Sequence, residues 1–172
     1  MKLIVYIGLF FICSAYIAVP KKLEKKIQKE ITSVFAVPEF NKELVSLDDE
    51  VLSKLSSSFN KEGFFKVSSN EQCLGYYYYS QAPSKTAVFD YLVVLDENLI
   101  VKKMKVLVYR EDHGGEIGSK RWLKQFYEST PSTKFSYGQD IKAISGATIS
   151  AESMTDAVNA LLQDLVHIPT KQ

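Results

Sequence analysis

Apolar positions along the chain fall into three patterns, and each predicts a different kind of element. The first is continuous: Leu3 to Val19 holds no charged residue. Its length sits at the lower edge of a bilayer span, and its first part also suits the apolar region of a secretory signal peptide, with a small-residue cleavage site after Ala15. Residues 1–19 therefore read as a signal peptide or a membrane anchor. Lys21, Lys22, Lys25, Lys26 and Lys29 follow at once, and positive charge just behind an apolar run opposes export of that side.

The second pattern has helical spacing. Leu23, Ile27, Ile31 and Val34 recur at intervals of four, four and three, which predicts an amphipathic helix with lysines on its outer face. Those lysines read as a solvated face, or as a contact for anionic lipid or a partner. Pro38 closes the region. Ser46 to Glu50 loads acid onto a second helix start, running to about Leu55. Trp122, Leu123 and Phe126 form a short stripe behind Ser119, a candidate cap. Met154, Ala157, Val158, Leu161, Leu162 and Leu165 give a last helix, Ala151 to His167, one core-facing side.

The third pattern alternates. Phe64 to Val67, Cys73 to Tyr79, Thr86 to Leu95 and Leu99 to Tyr109 read as strands, with Asp96-Glu97-Asn98 turning the last two into a hairpin. Met104, Val106 and Val108 fall on one face of that hairpin, and Lys103 and Lys105 on the other. One wet face marks an antiparallel sheet covered on one side. The four tyrosines Tyr76 to Tyr79 place alternate rings on opposite faces; they suit core and cross-strand packing, or two of them a ligand pocket. The fold class is thus α+β, an antiparallel sheet packed by helices on one side. A helical segment spans residues 20–60, and the sheet domain spans 61–168.

Composition narrows the function. Net charge is +1 over 172 residues, which argues against nucleic acid as partner. Hydrophobic residues make up 46%, so the chain folds. With two cysteines and two histidines, and no C-x-x-C spacing, zinc, iron–sulfur and c-type haem sites are disfavoured. Cys73 reads as a small buried hydrophobe.

The candidate chemistry lies in Ala143-Ile144-Ser145-Gly146-Ala147-Thr148-Ile149-Ser150, at the mouth of the last helix. A helix N-terminus presents backbone N–H groups and favours an anion. Gly146 and Ala147 leave the backbone open to close approach, and Ser150 reads as the N-cap. Thr148 offers a hydroxyl for attachment of a phosphate-bearing cofactor. Upstream, His113-Gly114-Gly115-Glu116-Ile117-Gly118 forms a glycine-rich loop. His113 suits a hydrogen bond to a ligand edge, a proton shuttle, or a plain loop anchor. A Ser145–His113 hydrolase triad is disfavoured, because the G-x-S-x-G elbow is missing.

Ser145-Gly146-Ala147-Thr148, followed by a helix, resembles the signature of the FMN-binding domain family, over roughly residues 74–166. That family includes the C subunit of the sodium-pumping NADH:quinone reductase and the G subunit of the Rnf-type electron-transport complex. The resemblance implies FMN as cofactor, joined by a phosphoester to Thr148, with Ser145, Gly146, Ala147 and Ser150 around it. The family's loop, commonly Glu-Thr-Pro-Gly-Leu-Gly, lies against the flavin. Ile117-Gly118 match its end, and His113, Gly114, Gly115 and Glu116 correspond by position. The family usually has an acid three residues before the serine, where this chain has Lys142; Asp140 stands two earlier. Covalent and non-covalent FMN both stay open on that account. The resemblance implies an exported electron-transfer protein more than a stand-alone enzyme, periplasmic or on the outer face of the cytoplasmic membrane. Its partners would be a flavin transferase using FAD as FMN donor, and redox proteins or a membrane electron-transport complex. The alternative is a binding or sensory module without redox turnover.

Overall fold

The computed structural model describes residues 21–169. The signal-peptide or anchor reading of residues 1–19 lies outside them. The elements are α1 (Lys21–Phe35), β1 (Asn41–Leu44), α2 (Asp49–Lys54), β2 (Phe64–Ser69), β3 (Gln72–Pro83), β4 (Val88–Asp96), β5 (Val101–Val108), α3 (Lys120–Leu123) and α4 (Thr148–Leu165). The strands form one antiparallel sheet in the order β1-β2-β3-β4-β5. This is the α+β class, and each neighbour in sequence is a neighbour in space.

Side chains alternate across this sheet and feed two cores. Tyr76, Tyr78, Tyr91, Val93 and Leu95 point into the larger one, which α4 completes with Met154, Val158, Leu161 and Leu162. Tyr77, Leu92, Val94 and Leu107 point the other way, and Leu23, Ile27 and Ile31 of α1 close over them. The expected wet face is therefore covered. The lysine alternation on β5 misleads because Lys103 pairs with Glu30 of α1 at 2.7 Å, which lets a cation sit beneath a helix. Val108 does not share a face with Met104 and Val106. The register of β4 and β5 shifts between Asp90 and Tyr91, and the bulge sends Val108 to the α1 side.

The tyrosine run is packing. Phe64 stacks on Tyr76 at 5.5 Å and Phe65 on Tyr77 at 4.9 Å between centroids. Tyr79 donates to Asp90 at 2.7 Å, and Arg110 faces the same buried carboxylate at 2.6 Å. Burial pushes the Asp90 carboxyl up, but hydrogen bonds from Gln81 and Tyr79 and the Arg110 guanidinium outweigh it and hold it below its ordinary value.

Two polar ties fix the ends of helices. Asp48 caps α2, its Oδ1 accepting from Val51 N at 2.8 Å. At the far end of α4, Asp164 is buried and accepts from the backbone N and the hydroxyl of Ser56, both at 2.7 Å. These bonds tie the segment after α2 to the helix that carries the candidate site. β1 lies within the stretch read as helical. Its four residues are all exposed, so no alternation marks them.

Candidate functional site

The site begins with the way α4 starts. Gly146 has φ 77°, in the left-handed region, and turns the chain sharply. Ala147 then opens the helix ladder, its carbonyl accepting from Ala151 N at 2.9 Å. The helix therefore starts at Thr148, three residues before the start read from periodicity. Ser150 is not the N-cap. It lies inside the first turn, buried, with its hydroxyl 3.0 Å from that of Tyr109. Ala147 occupies the cap position and no side chain caps the helix. The N–H groups of Thr148, Ile149 and Ser150 consequently have no intrahelical acceptor. Thr148 itself is exposed.

The glycine loop meets this helix mouth directly. Gly114 has φ 78°, and a Cβ on it would lie 2.3 Å from the Cβ of Ala147. The loop and the motif touch only because both residues are small. A Cβ on Gly146 would meet nothing within 4 Å, so its outer side is open. Gly115 is open likewise, whereas Ile117 is fully buried in the larger core and anchors the loop from below. Gly118 packs near Val106, with a built Cβ 3.8 Å away. Ser119 caps α3, accepting from Trp122 N at 3.2 Å.

A cavity of about 420 Å³ opens between the helix mouth and the loop. Gly146, Ala147, Thr148 and Ser150 form one wall, with His113, Tyr109 and Glu111 facing them. Lys85 and Thr86, from the β3–β4 turn, also line it, as do Asp112 and Ile149. Glu111 holds that turn in place. Its carboxylate accepts from Ser84 Oγ at 2.6 Å, Thr86 N at 2.7 Å, Thr86 Oγ1 at 2.9 Å and Ala87 N at 3.2 Å. These bonds, the Ser84 hydroxyl's foremost, hold the Glu111 carboxyl down at about 2.

A second cavity, about 460 Å³, lies on the other side of the motif, against Ser145, Lys142, Glu116 and Arg121. Glu116 pairs there with Arg121 at 2.9 Å and accepts from Ser119 Oγ at 3.0 Å. Lys142 is fixed by its backbone: its carbonyl accepts from Trp122 Nε1 at 2.7 Å, and its N–H donates to Gln125 Oε1 at 2.9 Å. Asp140 caps a turn through Ser136 N at 2.8 Å. The candidate residues thus divide. His113, Gly146, Ala147, Thr148 and Ser150 line one cavity, with Gly114 packed behind Ala147. Ser145 and Glu116 line the other. Tyr109, Lys85 and Glu111 were missed, because long-range closure alone brings them to the motif.

An open helix mouth with an exposed threonine lies beside a glycine loop and a sheet hairpin in this α+β domain. Residues 87–163 match the FMN-binding domain family, a span that takes in β4, β5, the glycine loop, the motif and most of α4. The fold is shared with the crystal structure of Shewanella oneidensis NqrC, at a TM-score of 0.58 and 13% identity, over 84% of this chain and 93% of that one. No curated protein matches the chain. The match indicates FMN as the cofactor. The residues present fit it: the cavity is of a size used for small ligands, the backbone at Gly146 is open to close approach, and uncapped N–H groups await an anion.

Proposed function

We propose that this chain is an exported electron carrier whose FMN is held as a phosphoester on Thr148. The observation that carries this is the exposed Thr148 hydroxyl at the first position of an uncapped 18-residue helix, with the glycine loop packed against the residue before it. In the attachment step Thr148 Oγ1 loses its proton and displaces AMP from FAD, forming one P–O bond as the pyrophosphate bond breaks. A separate flavin transferase would supply the catalysis, and Thr148 is open enough to enter such an enzyme.

Bound FMN supplies one- and two-electron chemistry. The chain's own residues hold it. The N–H groups of α4's first turn would favour the phosphodiester by roughly 0.3–1 kcal/mol at an exposed site, so the ester rather than the helix dipole would secure the group. His113 stands across the cavity, where its ring can donate to a polar ligand edge. Electrons would pass to redox proteins of a membrane electron-transport complex, on the outer face of the cytoplasmic membrane.

A second reading has support from one residue. Lys142 stands where the family usually has an acid, which favours FMN held without an ester in a sensory or binding module. One experiment separates the two. The chain is co-expressed with a flavin transferase, acid-precipitated, and examined by intact mass and in-gel fluorescence. The expected result is one FMN per chain that survives denaturation and is absent in Thr148→Ala. Colour lost on precipitation would support the second reading, and a wild-type mass equal to that of the unmodified chain would refute the ester.

A further inference from the structure

The outer face of α1 has no part in the site above, and its charges are arranged in an unusual way. Leu23, Ile27 and Ile31 enter the smaller core. The two acids of the helix turn back towards the sheet: Glu24 pairs with Lys42 of β1, and Glu30 with Lys103 of β5. Lys26 is also drawn inward, its Nζ donating to Leu107 O at 2.6 Å. Lys21, Lys22, Lys25 and Lys29 remain outside, all exposed and without an ion pair among the described residues. Lys21, Lys25 and Lys29 follow one another at i, i+4, a spacing at which like charges repel on a helix. Glu24 still lies within reach of Lys21's charge, whereas Lys22, Lys25 and Lys29 have no ion-pair partner among the described residues. Such a face is weakly self-repelling in water, and a negative surface relieves that repulsion.

Beside these lysines, α1 and the β1–β3 edge enclose a cavity of about 420 Å³. Phe40, Phe65 and Tyr77 form its floor, and Lys21, Lys25 and Lys42 its rim, together with Glu24, whose carboxylate is paired with Lys42. Lys42 lies over the Phe65 ring, 5.8 Å from the centroid. In the sequence, the uncharged run Leu3 to Val19 ends one residue before this helix.

We infer that the lysine face of α1, with the aromatic cleft beside it, docks on an anionic phospholipid surface. Headgroup phosphates meet the outer lysines, and the cleft takes the apolar part of a lipid just below its headgroup. Basic residues near such a membrane are attracted to it over about a Debye length. An acidic protein would answer the charge but not the aromatic floor or the apolar run that precedes the helix. α4 packs on the opposite face of the sheet, so the docked chain keeps the Thr148 cavity off the lipid side.

The test places the full chain in nanodiscs of phosphatidylcholine alone, or of phosphatidylcholine with phosphatidylglycerol, and follows amide hydrogen exchange over residues 21–35. Exchange across α1 should slow several-fold in the anionic discs. The protection should vanish when salt rises from about 0.1 M to about 1 M, as the Debye length falls from roughly 10 to 3 Å. Lys22→Glu/Lys25→Glu/Lys29→Glu should exchange equally in both discs, while Lys124→Glu, on α3's side of the sheet, behaves as wild type. Equal exchange of the wild-type chain in the two discs overturns the inference and returns the face to water or to an acidic protein. Protection that persists at high salt overturns it too, and that arm needs no variant to fold. Flavin attachment at Thr148 plays no part in any of these readings.

Discussion

Ser150 and Tyr109 show how a residue's role follows from where its helix begins. As a cap, Ser150 would point its hydroxyl at free backbone N–H groups; inside the first turn it is buried and meets the Tyr109 phenol instead. Tyr109→Phe keeps the ring and removes the partner. It should lower stability by about 1 kcal/mol, read as a shift in the urea midpoint at unchanged slope. Glu111 carries a pH dependence. Its carboxyl lies at about 2, against an ordinary 4.5, because the Ser84–Ala87 turn donates to the charged form. The stability this adds is full above about pH 4.5 and is lost as pH falls through about 2. Glu111→Gln should therefore be less stable than wild type at neutral pH, with the gap closing across that acid window in thermal melts. If the gap is the same at pH 7 and pH 2, the turn is held by shape and not by the charge.

Between elements, the contact of the glycine loop with the start of α4 sets what each can tolerate. Gly114 and Gly146 both have positive φ, near 78°, so alanine carries a backbone penalty of roughly 1–2 kcal/mol at either. Only at Gly114 does the new methyl also strike a neighbour, Ala147. Gly114→Ala should be the more destabilising of the two and should reduce flavin loading, because it pushes the helix mouth out of place. Gly146→Ala should stay near the backbone penalty alone. Paired urea titrations, with flavin yield by absorbance, give both readings, and equal losses would mean the loop simply moves aside. The same elements show what the chain made legible. The α1 stripe could be read because Leu23, Ile27 and Ile31 are its buried residues. The motif could be read because Ser145-Gly146-Ala147-Thr148, with a helix after it, resembles the family's signature. β1 could not, with four exposed residues whose place depends on pairing to β2 and on Lys42 meeting Glu24 of α1. Nor could the covered second face, because Lys103 finds Glu30 only after α1 has folded back over β5. Tyr109, Glu111 and Lys85 reached the site in the same way, through closure of the β3–β4 and β5–α3 connections around one cavity.

The described residues form a sheet between two helical layers, and that layout separates the cofactor helix from α1. Ile31, fully buried under α1, and Leu161, nearly so under α4, belong to different cores on opposite faces of the sheet. The two clusters have no residue in common, and the sheet lies between them. Changes at sites so separated add to within about 0.3–0.5 kcal/mol. Ile31→Val should remove about 0.5–1.5 kcal/mol and Leu161→Ala about 2–5, and the double variant should lose their sum in urea unfolding. Ile31→Val should leave FMN loading untouched, whereas Leu161→Ala should reduce it by loosening the helix that presents Thr148. A coupling above about 1 kcal/mol would mean that strain crosses the strands. In that case the α1 face and the Thr148 cavity would respond to each other, and a surface that engages one would be felt at the other.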